Sequence, residues 1–186
     1  MSNGVISFAG IGSRSTPPHA TKQIIAISSL LAKRNWVLRS GGADGADLAF
    51  EIAYDQFGGN KEIYLPSRGF NNSTSSLYNL TDEAFDLAEK YHPTWKILPP
   101  FARKLMARNG YQVLGPNLND PVKLVVCWTQ DGVEQGSQTT VGTGGTGQAI
   151  RIADDYKIPV FNLQKENRFQ QLLSYISSEM WSIIDC

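Results

Sequence analysis

The chain has 186 residues, enough for one domain with a sizeable core. Apolar residues make up 41%, and 17 Lys and Arg balance 17 Asp and Glu to a formal charge of zero. This balance lacks the basic excess of a non-specific nucleic-acid binder, and nothing approaches the ~20 apolar residues of a membrane-spanning helix.

Met1-Ser2-Asn3-Gly4 has no basic region ahead of the first apolar run, so no secretory leader is expected. The two cysteines, Cys127 in an apolar run and the terminal Cys186, do not form a disulfide framework. A buried thiol, a stray terminal thiol and a reducing cytosol are the expectation.

Val5–Ala9 reads as a first buried strand. It runs into a glycine turn, Gly10-Ile11-Gly12-Ser13-Arg14, and then a helix from His19 to about Asn35 with apolar residues at helical spacing. Trp36–Arg39 is a second strand, followed by Ser40-Gly41-Gly42-Ala43-Asp44-Gly45-Ala46-Asp47 and a helix to about Gln56. A third strand covers Glu62–Leu65. The alternation predicts an α/β, Rossmann-like, doubly wound and mainly parallel sheet with helices on both faces.

Residues 66–100 break the rhythm. They read as an insertion within one domain, a lid or an oligomer contact, with a helix over Thr81–Lys90. Phe101–Val113 is helical, and Leu124–Trp128 is apolar enough to be an interior strand. Thr129–Thr146 is a long polar connection, of the kind that is functional or disordered. A helix over Gln148–Tyr156, a strand over Ile158–Leu163 and a helix over Phe169–Trp181 complete the chain. Pro159 marks an edge strand or a strand start.

Three glycine turns carry the chemistry. In a parallel sheet, ligands bind outside the carboxyl ends of strands, where the first two turns lie. Gly41, Gly42 and Gly45 leave the backbone bare, and the N–H groups opening the next helix suit an anion. Asp44 and Asp47 do not bind phosphate; capping or holding ribose hydroxyls is their expected work. Gly12, Ser13 and Arg14 offer a second grip, with Arg14 able to bind bidentately. Thr143, Gly144, Gly145 and Thr146 form a phosphate nest, but no Lys-Ser/Thr pair follows as in a Walker loop. The first turn is not a full G-x-G-x-x-G and Arg39 ends the second strand, which disfavours a dinucleotide dehydrogenase. By itself, Arg108-Asn109 reads as a solvated helix face, and Asp131 and Glu134 read as solvated loop charges. His19 and His92 fit no metal pattern, so neither metal nor cofactor is expected.

Together, Phe8–Arg14, Ser40–Asp47, Arg108-Asn109 and Gly144-Gly145-Thr146 with Ala149, Ile150 and Ala153 resemble the SLOG superfamily, and within it the YspA/cpYpsA-related branch. That superfamily includes DprA, LOG-type phosphoribohydrolases and sensor domains for signalling nucleotides. The resemblance implies ligand contacts from Gly12, Ser13 and Arg14, from Gly42, Ala43 and Asp47, from Arg108, and from Gly144, Gly145 and Thr146. LOG-type hydrolases are similar to P-G-G-x-G-T-x-x-E, whereas Ala149 stands in the glutamate position here. Alanine neither activates water nor stabilises an oxocarbenium-like centre. Binding without turnover is therefore expected: a homodimer or higher homo-oligomer holding a nucleotide-derived molecule, with an ADP-ribose-type signal and a sequestering, anti-defence use as hypotheses. The alternatives are an N-glycosidase or phosphoribohydrolase using Asp44 or Asp47, and a DprA-like single-strand binder, which the balanced charge disfavours.

Overall fold

The computed structural model describes residues 5–184, with the side chains of 5–179. The readings made on Met1–Gly4 and Cys186, and that of Trp181 as part of an apolar face, lie outside what is described. Strands β1 (Ser7–Gly12), β2 (Val37–Ser40), β3 (Lys61–Ile63), β4 (Leu124–Trp128) and β5 (Val160–Asn162) form one sheet in the order β3-β2-β1-β4-β5. Every pairing is parallel. The α/β, doubly wound sheet expected from the alternation is the fold the chain adopts.

Side chains alternate across the sheet, as the two-residue strand period requires. Phe8, Leu124 and Val126 join Ile24, Ile27 and Leu31 of α1 (Pro18–Ala32), Phe50 and Tyr54 of α2 (Ala46–Gln56), and Leu172 and Ile176 of α6 (Arg168–Ile184). Ala9, Ile11, Val125 and Cys127 face the other way. They meet Val113 and Leu114 of α4 (Pro100–Leu114) and Ile150 and Ala153 of α5 (Thr146–Asp155). Each fully buried aliphatic or aromatic side chain contributes roughly 1.5–3 kcal/mol. Pro18 and Pro100 start α1 and α4, where their fixed φ fits the first helical turn and their missing N–H costs nothing. Cys127 is fully buried and burial pushes its thiol up, so it is a packing residue.

Several boundaries differ from the periodicity. The first strand continues through its glycines to Gly12 because Gly10, Ile11 and Gly12 stay in register with Val126, Cys127 and Trp128. The third strand ends at Ile63, and Leu65 instead bonds Leu77 of the following loop. Pro159 directly precedes edge strand β5, as expected. Within 66–100, α3 (Asp82–Tyr91) packs on α4 through a third core of Tyr64, Ala84, Ala88, Trp95, Ala107 and Tyr111. Among the described residues, no helix is long and apolar enough to cross a membrane.

Candidate functional site

The chain turns from β1 toward one side of the sheet and from β4 toward the other. Adjacent strands with diverging connections open a crevice at their carboxyl ends. A cavity of about 350 Å³ lies there. Ile11–Ser15 form its floor; Ala43 enters from the turn before α2 and Asp47 from α2 itself, Arg108, Asn109 and Gln112 from α4, and Gly142–Thr146 close the far side.

The first two turns are built against each other. Gly45 has φ +80°, and a Cβ there would lie 2.3 Å from the Ser13 carbonyl oxygen and 2.6 Å from Arg14 Cα. Only glycine permits that backbone-on-backbone approach. Ala46 N–H donates to the Ser13 carbonyl at 3.1 Å, and Gly12 N–H donates to Asp47 Oδ1 at 3.2 Å. Asp47 therefore does structural work: it fastens the turn after β1 to the start of α2.

Asp47 and Arg108 are 3% and 6% exposed, with Arg108 Nη1 3.6 Å from Asp47 Oδ2, too long for a hydrogen bond. Burial pushes the Asp47 carboxyl up from its ordinary value, against the Arg108 charge and the backbone groups of Ala43, Gly12 and Gly41. Burial likewise pulls Arg108 down, with Asp47 opposing. Arg108 is thus no solvated face residue: α4 is packed between the sheet and α3, and its middle meets only the cavity. The guanidinium sits on Gly41, where a Cβ would lie 1.6 Å from Nη1. Gly41 does not line the cavity; its bareness houses the arginine. Arg108 Nε has no partner.

Asn109 is buried too, and its amide donates to the Gly145 carbonyl at 3.2 Å and to Gln148 Oε1 at 3.0 Å. It fastens α5 to α4. Thr143 lines the cavity with its hydroxyl already used, donating to Asp131 and accepting from Thr140 N–H. By contrast, the N–H groups of Gly145 and Thr146 have no acceptor among the described residues. Arg14 is exposed at the rim and makes no hydrogen bond or ion pair among the described residues.

Gly42 and Asp44 fall elsewhere. They line a separate depression of about 340 Å³ with Leu48, Asn71 and Asn72. Asp44 is exposed there, on the opposite side of the turn from Asp47. None of residues 66–100 lines the main cavity. Of the fourteen residues expected at the site, Gly41, Gly42 and Asp44 are outside the cavity; the other eleven are in its lining.

The 129–146 connection is ordered by its acids; Asp131 is exposed, as expected of a loop charge, but Glu134 is not the expected solvated charge. Glu134, its side chain 11% exposed, accepts from Arg168 Nε at 2.6 Å, Lys165 Nζ at 2.9 Å and Asn162 N–H at 2.7 Å. Asp131 takes the hydroxyls of Thr129 and Thr143; burial alone would raise it, but those donors hold it below its ordinary value. Gln112, absent from the sequence reading, is a fully buried amide in the cavity wall. Its place four residues after Arg108 was the available signal.

No family model and no curated protein matches the sequence. Among solved structures, the chain is similar to the Moco carrier protein of Chlamydomonas rheinhardtii, with TM-score 0.51 and 13% identity over 94% of this chain and 85% of that one. It is also similar to the single-stranded-DNA-binding DNA processing protein A of Helicobacter pylori, with TM-score 0.50 and 20% identity over 91% of this chain and 72% of that one. The likeness is one of architecture: this chain has the fold those two proteins share.

Proposed function

We propose that this chain belongs to the SLOG superfamily, in its YspA/cpYpsA-related branch, and binds a nucleotide-derived small molecule as a sensor or sequestering protein. The observation that carries the reading is convergence at the β1–β4 crevice. Arg14, Arg108 and the free amides of the α5 N-terminus line one cavity. Helix N-terminal amides with a guanidinium opposite favour a phosphate-bearing ligand. An ADP-ribose-type nucleotide is the class the resemblance suggests. A homodimer, a cytosolic setting and a lid or contact role for 66–100 belong to the same proposal.

Calorimetry with AMP, IMP, ribose 5-phosphate and ADP-ribose tests it. A binder gains ~2.7 kcal/mol of stability at a hundredfold excess over Kd. No binding by any of the four would sink the reading.

Asp47 supports a second reading, N-glycosidic or phosphoribosyl cleavage, because it is a buried carboxyl in the cavity lining. Against it, Ala149 lines the same cavity and Asp47 is tied to Gly12. Release of free base from an incubated nucleotide, abolished in Asp47→Asn, would decide for catalysis. Steeply salt-dependent binding of an oligonucleotide would decide for a single-strand binder.

A further inference from the structure

We propose that Asp131 is a positioning residue for an anionic ligand: through the Thr143 hydroxyl it fixes the 140–146 wall of the cavity in the shape that receives a phosphate. The inference rests on reading the cavity as a nucleotide site.

One chain of hydrogen bonds ties this wall to the sheet. Asn162 ends β5, fully buried, and its Nδ2 donates to Thr129 Oγ1 at 2.6 Å. Thr129 Oγ1 donates to Asp131 Oδ1 at 2.7 Å. Asp131 Oδ2 accepts the Thr143 hydroxyl, and Thr143 Oγ1 in turn accepts from Thr140 N–H at 2.9 Å. Thr129 and Thr143 are 1% and 5% exposed and line the cavity, whereas Asp131 stands behind them, outside its lining. Thr143 also underlies the first turn of α5: a Cβ on Gly147 would lie 3.2 Å from Thr143 Cβ. Gly145 and Thr146, just beyond it, carry the amides that have no acceptor among the described residues.

The polarity of the chain calls for a carboxylate. A threonine hydroxyl has one proton to give. The oxygens of Thr129 and Thr143 each accept an N–H already, so both protons point at Asp131. An ionised aspartate accepts on both oxygens, and asparagine on only one. The charge itself works against the ligand, because a carboxylate behind a wall that receives an anion repels it. The two hydroxyls that Asp131 holds account for its place there. With both oxygens spent and no part in the cavity lining, it acts on the ligand only through Thr143.

Repulsion and positioning predict opposite signs, and calorimetry with AMP separates them; ADP-ribose takes its place as probe if AMP alone does not bind. Asp131→Asn should weaken AMP binding about tenfold, the scale of one lost hydrogen bond, although it removes a like charge. Thr143→Val should weaken it equally, and Thr143→Ser, which keeps the hydroxyl, should recover most of that loss. The double variant Asp131→Asn/Thr143→Val should bind within about twofold of either single one, because both break the same link. Adenosine, which lacks the phosphate, should bind wild type and Asp131→Asn alike. AMP binding that is unchanged or tighter in Asp131→Asn overturns the proposal, and so do losses that add in the double variant or an equal loss for adenosine. Should Asp131→Asn fail to fold, the Thr143 pair decides: equal AMP affinity in Thr143→Val and Thr143→Ser overturns it. Wild type binding none of AMP, IMP, ribose 5-phosphate and ADP-ribose removes the parent reading as well; wild type binding AMP with Asp131→Asn unaffected removes only this one.

Discussion

Arg39 and Arg108 are buried almost equally, at 4% and 6% exposed, but they are satisfied very differently. Arg39 Nε meets Glu62 at 2.8 Å, Nη1 meets the Asp120 carbonyl at 2.6 Å, and Nη2 meets the Asp120 carboxylate. Its hydrogen bonds raise it despite burial. Arg108 has one carboxylate beyond hydrogen-bond reach and an orphan Nε. A guanidinium with its donors matched inside the protein holds elements together: here β2, β3 and the loop before β4. Arg108 is held in place with its Nε donor unmatched, so it does not tie elements together in that way.

Arg39→Met should therefore give the largest effect, a stability loss of about 3 kcal/mol in urea unfolding, because it removes three charge-assisted hydrogen bonds to Glu62 and Asp120. Ligand affinity should not change. A loss below ~0.5 kcal/mol would erase the contrast. Arg108→Met should act in the other direction, costing ~1.5–3 kcal/mol of affinity for an anionic nucleotide in calorimetry. Its stability cost is best read with Asp47→Asn present, which avoids leaving a lone buried carboxylate; that double variant should unfold near the wild-type midpoint.

Gly41→Ala sharpens the comparison without touching either arginine. Its Cβ takes the place of the guanidinium, so Arg108 must leave its seat. A loss of about 1 kcal/mol in affinity is expected, with a smaller fall in stability because a side-chain end moves more easily than backbone. Unchanged affinity would mean that the seat of Arg108 is irrelevant to binding.

The smallest effect is on pH dependence. Asp47 has a folded-state pKa raised above its unfolded value. Its favourable contribution is present below the unfolded value of about 3.9 and is lost as pH rises through the folded one. The urea midpoint of wild type should fall relative to Asp47→Asn as pH climbs from ~4 through that window. Parallel midpoints would show that Arg108 compensates the carboxylate fully.

The same two arginines show what the sequence could carry. Element order, the parallel sheet and the placing of glycine turns at strand ends follow from short-range patterns, such as Trp36-Val37-Leu38 before Ser40–Asp47. Those patterns do not say which glycine faces a ligand. Gly41 belongs to a guanidinium and Gly42 to another depression, while Gly45 is pressed on the first turn. Nor is burial of Arg108 or Glu134 visible, because it depends on distant partners: Glu134 meets Asn162 and Arg168, and Arg108 meets Asp47. Gln112 is an ordinary helix residue until the sheet closes beside it.

The press of Gly45 against Ser13 and Arg14 bears on how such a pocket is re-engineered. Any side chain at position 45 would collide with backbone, so the two turns form a floor that accepts little change. New ligand preferences must then be written on α4 and at Thr146, where side chains line the cavity. A library randomised at Leu105, Gln112 and Thr146 should return folded variants with altered selectivity, whereas one spanning 12–14 and 45 should return mostly unfolded chains. The ratio of soluble clones from the two libraries measures how far that division of labour holds.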